Sequence, residues 1–253
     1  MLKPLQSPLL SQISFIKHGF FTRQGGISEG IYASLNLSKT KGDRVENVQE
    51  NQRRITEWFD NKPLLLMDQI HEDGILFVTD PFENKELPKS DALITNSPNL
   101  VLSVRTADCI PLLLVDPESK LIGAIHSGWR GTLKNIAGKT VQKMKTKGAK
   151  KIFASLGPAI SQQHFEVGPE VYEAFKGQYQ HFFTPSPTPN HYLCDLKGIV
   201  VEQLTQVGIH TAEILPYDTY SAHDLFFSCR RATNQNQPHF GCQLSAIMIT
   251  SGV

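Results

Sequence analysis

Apolar positions recur every three or four residues over 45–59 (Val45, Val48, Ile55, Phe59), 132–147 (Leu133, Ile136, Ala137, Val141, Met144) and 195–207 (Leu196, Ile199, Val200, Leu204, Val207). That spacing predicts three amphipathic helices. Asp43 and Asp195 stand where the first and third would be capped, and Gly148 and Gly208 stand where helix C-termini stop. Short runs rich in Ile, Leu and Val predict strands at 74–79, 101–105, 110–115, 121–126, 152–156 and 244–250. Between two of these, Asp116, Pro117, Glu118, Ser119 and Lys120 are turn formers, so 110–126 is expected to be a hairpin. A hairpin followed by one helix, without strict strand-helix alternation, favours α+β over a doubly wound parallel sheet. Three prolines at alternate positions in 184–189 predict an extended surface loop.

The 253 residues carry 25 Lys plus Arg against 24 Asp plus Glu, a net charge of +1 that argues against a nucleic-acid partner. Residues 1–253 are expected to form a single domain with a large core. No apolar run approaches the roughly 20 residues that a bilayer requires, so no membrane role is expected. Pro4, Pro8 and polar residues interrupt the N-terminal segment where a signal peptide would be continuously apolar, which predicts a cytoplasmic protein. In a reducing cytosol the four cysteines are expected to be free thiols or metal ligands.

Chemistry concentrates in 68–71, 105–109 and 126–131. His71 and His126 each end an apolar stretch, and the hairpin should bring Cys109 beside His126. A thiol with two imidazoles admits zinc or copper binding with a coordination position left open, or activation of the thiol as a nucleophile. It also admits a purely structural role as partly buried histidines and a small core residue. In the metal case Asp108 could hold one ligand imidazole in a fixed tautomer. Gly128 and Gly131 flank Trp129 and Arg130 before a helix expected to start near Thr132, where Arg130 and free N–H groups could bind a phosphate.

Taken in order, HGFFTRQGGIS (18–28), YASLNL (32–37), QIH (69–71), DALIT (91–95), TADCIPLLL (106–114), HSGWRGT (126–132), LGPAI (156–160), FEVG (165–168) and FFSCRR (226–231) make the chain resemble the YfiH-like family, also called polyphenol oxidase, laccase-domain or purine nucleoside phosphorylase proteins. The resemblance runs almost end to end. It implies an α+β domain of four layers, with packed β-sheets and helices outside. It also implies a mononuclear catalytic site with His71, Cys109 and His126 as metal ligands, zinc the ion most often held and copper a second candidate. The implied activities are phosphorolysis of adenosine, inosine and S-methyl-5′-thioadenosine, and deamination of adenosine.

Arg130 and Arg23 are then expected to bind phosphate or ribose, with Asn36 and Gln69 as further substrate contacts. The partners expected are small molecules, a nucleoside and phosphate; the sequence assigns no oligomeric state. Nine histidines without one H-x-H pair do not suit a multicopper oxidase. The alternatives are a metal-free cysteine hydrolase or amidase using Cys109 and His126, a copper-dependent polyphenol oxidase, and a zinc-stabilised binding module. Two positions depart from the family pattern: Cys229 stands where Tyr or His is usual, and Cys242 where Arg is usual, leaving Arg230 and Arg231 as nearby cations. His223, Cys229, His239 and Cys242 have the residue types of a second zinc site, though not a common spacing. His164, His181, His191 and His210 are expected at the surface.

Overall fold

The computed structural model describes residues 2–38, 42–82 and 86–251. Its centre is the expected hairpin, Ile110–Asp116 antiparallel to Leu121–Ser127. The Asp116 carboxylate accepts from the backbone N–H groups of Glu118 and Ser119 at 2.8 and 3.0 Å, which closes the turn. Both strands are buried along their whole length, so they read as continuous apolar runs instead of alternating ones. The six-stranded sheet around them runs Ala212–Ile214, Phe153–Leu156, Ile110–Asp116, Leu121–Ser127, Ala92–Thr95, Ile75–Phe77.

One face of the hairpin, with Leu113, Val115, Ile122 and Ala124, packs on Leu102, Val104 and Ile247 of a four-stranded sheet. That sheet is ordered Ile16–Phe20, Gln243–Ile249, Val101–Thr106, Leu64–Leu65. The opposite face, with Leu112, Leu114 and Ile125, packs on the helices Ile136–Thr146 and Leu196–Gln206 through Val141, Met144, Ile199 and Leu204. The outer face of the four-stranded sheet (Val101, Leu244, Ala246, Met248) covers Ile55 and Phe59 at the helix Val45–Trp58. Helix, sheet, sheet and helices therefore form four layers. The fold is α+β: the ladders are mainly antiparallel, and helices cover the outside.

Several local expectations change. The 132–147 helix is two helices, Trp129–Leu133 and Ile136–Thr146. Asn135 between them adopts a left-handed φ of 58° and its side chain accepts from the Gly138 N–H, capping the second. Asp43 caps no N–H within the helix: its Oδ2 accepts from Ser28 Oγ at 2.7 Å and Asn36 Nδ2 at 2.8 Å, and its Oδ1 accepts from the N–H of Arg44, just before the helix, at 2.8 Å. Asp195 caps its helix as expected, accepting from Gly198 N–H. The 184–189 loop starts as a strand, since Phe183–Pro185 pairs with Tyr192–Cys194.

Candidate metal centre

The six-stranded sheet delivers two of the three candidate ligands. The ladder pairs Ile110 with Ser127 and Pro111 with His126, so Cys109 lies just beyond its end, diagonal to His126 and not directly opposite. His71 reaches the same point from the loop before Ile75–Phe77, on a backbone with φ of 60°. One ligand atom from each of His71, Cys109 and His126 lies within 4.8 Å of the other two. The two imidazoles meet edge to face, 4.7 Å between centroids and 88° apart. Gly128 leaves the room this needs, since a Cβ there would lie 3.0 Å from Cys109 Sγ and 3.2 Å from His71 Cδ2.

Asp91, wholly buried at the start of Ala92–Thr95, organises the centre. Its carboxylate accepts from His126 Nδ1 at 2.7 Å and from the backbone N–H groups of Ile70, His71 and Glu72 at 3.2, 3.1 and 2.9 Å. Burial opposes its charge, yet these donors hold its pKa below the usual carboxylate range. A proton on His126 Nδ1 leaves the Nε2 lone pair for a metal. The orienting role expected of Asp108 thus belongs to Asp91. Asp108 instead accepts from Thr219 Oγ1 at 2.6 Å, Ser228 Oγ at 3.0 Å and Arg230 N–H at 2.7 Å, tying the 219–230 segment to the Cys109 loop.

Partial desolvation of the ring, with the charges of His126 and Arg130, lowers the pKa of His71 against the pull of Asp91. Burial first, then the Asp108 charge, pushes the Cys109 thiol well above the ordinary range. A bare thiolate is disfavoured there, and a cation among the three donors would offset that penalty. One sulfur and two imidazole nitrogens are the donors that zinc or copper take, and three protein ligands leave a position for substrate. The donor set fits a metal.

The centre opens into a cavity of about 630 Å³. Ile160, Phe165 and Phe240 give it apolar wall, and Arg105, Arg230 and Gln69 give it polar wall. The other expected substrate contacts lie elsewhere or are already engaged. Exposed Arg130 lies outside the cavity wall and stacks on Trp129, 4.3 Å from guanidinium to ring. Arg23 borders a separate pocket and donates to the carbonyls of Ala33, His223 and Ile31 at 2.6, 3.1 and 3.4 Å. Asn36 is fully buried and bonded to Asp43, Ser38 and the Cys242 N–H. Gln69 spends both ends of its amide on the backbone N–H and C=O of Arg105, each at 2.8 Å.

Among the described residues, His71, Cys109 and His126 are the one group of three close donors, so His223, Cys229, His239 and Cys242 do not assemble a second zinc site. Cys229 and Cys242 line the same cavity as Cys109, whereas His223 is exposed and pairs with Asp224. His164 is not a free surface side chain: it bonds Asp218 at 2.6 Å and stacks on Tyr220. Sequence reasoning missed Asp91 and Arg105. An acid immediately before the apolar run of 92–95 was the available signal for the first.

Residues 17–250 match the family described as multi-copper polyphenol oxidoreductase laccase. A purine nucleoside phosphorylase of Bacteroides thetaiotaomicron is 38% identical over 260 residues, covering 95% of this chain and 94% of its own. Purine nucleoside phosphorylase YfiH of Escherichia coli is 35% identical over 223 residues, covering 83% and 86%. The crystal structure of YlmD from Geobacillus stearothermophilus superposes with a TM-score of 0.88 at 27% identity, covering 99% of this chain and 100% of that one. The YfiH structure from Bacillus licheniformis gives 0.86 at 29% identity, covering 95% and 94%. The four layers and the thiol-imidazole cluster, the single such cluster among the described residues, thus define an α+β protein with a candidate metal centre. The chain belongs to the YfiH family of multicopper polyphenol oxidoreductase-like proteins.

Proposed function

We propose that this chain is a zinc-dependent cytoplasmic purine nucleoside enzyme that splits adenosine, inosine and S-methyl-5′-thioadenosine with phosphate and also deaminates adenosine. The observation that carries it is the three-donor cluster at the wall of a cavity with both aromatic and cationic lining. The phosphorylase names of relatives covering most of the chain supply the substrate class. His71, Cys109 and His126 would hold the metal, which when bound supplies a Lewis acid facing the cavity. Asp91 keeps the His126 proton on Nδ1 and fixes the 70–72 backbone. Phe165, Phe240 and Ile160 offer apolar surface for a planar purine and exclude water from it. In phosphorolysis a phosphate oxygen bonds to ribose C1′ while the bond from C1′ to the base breaks, the base leaving with the electron pair and taking up a proton. Four cysteines held as thiols suit a reducing compartment.

The metal-free hydrolase is less well supported: burial holds the Cys109 proton on, against the thiolate that nucleophilic attack requires. A true multicopper oxidase would require more donor groups than the one found among the described residues. The test is metal content of the purified chain together with adenine, hypoxanthine and inosine release, with and without phosphate and chelator. Chelator-resistant turnover would overturn the zinc assignment, and base release indifferent to phosphate would overturn phosphorolysis.

A further inference from the structure

Two guanidinium groups, Arg105 and Arg230, line the cavity of the metal centre. Among the described residues neither forms an ion pair. Arg105 belongs to the strand Val101–Thr106 in the middle of the four-stranded sheet, a rigid platform. Its backbone is held at both N–H and C=O by the Gln69 amide, and one guanidinium nitrogen donates to Met67 O at 2.7 Å. Asp68 lies near enough to offset part of its charge but is exposed at the cavity edge. Arg230 is placed from the other side: its backbone N–H is fixed by Asp108 at 2.7 Å, its guanidinium donates to His164 O at 3.3 Å and lies 5.7 Å from the Phe165 ring. The Asp108 carboxylate is filled by Thr219, Ser228 and the Arg230 backbone, and Glu166, the acid that feels the Arg230 charge, is occupied by the Ser186 hydroxyl without pairing to the guanidinium.

We infer that Arg105, with Arg230, forms the oxyanion subsite of this cavity and that inorganic phosphate is its ligand. Burying a guanidinium without a counter-ion is costly, and an anion that forks onto it repays that cost. Burial is the main cause of the lowered Arg105 pKa, which agrees with a charge held short of solvent. Cys242, whose thiol senses the Arg105 charge, lines the same cavity. The subsite lies within the cavity, unlike Arg130, which is exposed and stacked on Trp129. This inference rests on the phosphorolytic function proposed above, and it replaces Arg130 with Arg105 as the phosphate anchor.

The test is calorimetric titration of zinc-loaded full-length protein with inorganic phosphate, alongside KM values for phosphate and for nucleoside. Arg105→Gln should weaken phosphate at least tenfold and leave the nucleoside KM within about threefold. Arg105→Lys, which keeps the charge and the length, should fold if Arg105→Gln does not and should lose part of the affinity. Moving the guanidinium to the neighbour, in Arg105→Gln with Cys242→Arg, should recover part of it. Phosphate affinity unchanged in both Arg105 variants, or lost in Arg130→Ala and kept in them, overturns the subsite while leaving phosphorolysis standing. Phosphate bound through Arg105 without phosphate-dependent base release keeps the subsite and overturns phosphorolysis. No phosphate binding to the unsubstituted protein overturns both.

Discussion

His126 Nδ1 and Asp91 Oδ1 lie 2.7 Å apart, and the same carboxylate receives three consecutive backbone N–H groups around His71. One buried acid therefore sets the tautomer of one candidate ligand and the backbone of another. Asp91→Asn keeps the size but puts an N–H₂ where an acceptor is required. The expected outcome is a 10- to 100-fold loss of zinc affinity, the usual effect of removing a partner of a metal-bound imidazole. Competition with a chromophoric chelator measures it, and unchanged affinity would remove Asp91 from the centre.

The cysteines separate by position. Cys109→Ala should abolish stoichiometric zinc, because the thiolate is one of only three donors. Cys194 ends the strand Tyr192–Cys194 and is buried in the core beneath the helices, where burial pushes its thiol up to about 12, and its side chain is not part of the cavity lining. Cys194→Ala should keep zinc and lose about 1 kcal/mol of stability from the small void it leaves. Metal analysis with thermal melts of both variants decides the pair; zinc retained by Cys109→Ala sinks the site.

The hairpin was legible because Asp116 to Lys120 carry a turn whose chemistry is local, and Asp116 closes it with bonds to residues two and three ahead. The two longest helices outside the site region were legible for the same reason, their apolar stripes facing a sheet. The roles of Asp91 and Arg105 were not: an acid ahead of the apolar run 92–95 and an arginine in the 105–109 segment are visible, but their contacts are with His126 and Gln69, 35 and 36 residues away. Strands as short as Leu64–Leu65 and Glu166–Val167 exist because a neighbouring strand pairs with them, and two residues hold no period. The helix break at Asn135 rests on one left-handed residue, which an apolar stripe running through it conceals.

Gly128 offers a test of space alone. Its φ of −81° suits any residue, so Gly128→Ala brings no backbone strain, only a methyl 3.0 Å from Cys109 Sγ and 3.2 Å from His71 Cδ2. The methyl should spread the donors by a few tenths of an ångström. Zinc affinity should fall while the melting temperature of the metal-free protein stays within about 3 °C, since a shift of 1 kcal/mol moves a chain this size by roughly 2–4 °C. Wild-type affinity in this variant would show that the centre tolerates expansion and that the glycine serves another purpose.

His18 predicts how stability depends on pH. It is 2% exposed, its Nε2 accepts the Ser7 N–H at 2.9 Å, and burial lowers its pKa to about 4 against the opposing pull of Glu213. The folded chain keeps His18 neutral, while the unfolded chain takes up a proton below the ordinary value of about 6.5. Between those values the unfolded state binds more protons, so stability rises with pH through that window and falls as acid is added. The full effect is about 3 kcal/mol between pH 6.5 and 4, at 1.36 kcal/mol per unit. His18→Gln can still accept from Ser7 but does not titrate, so its urea midpoint should decline less steeply over the same range. Parallel slopes for the two proteins would mean that other groups carry the acid sensitivity and that His18 protonates without cost to the fold.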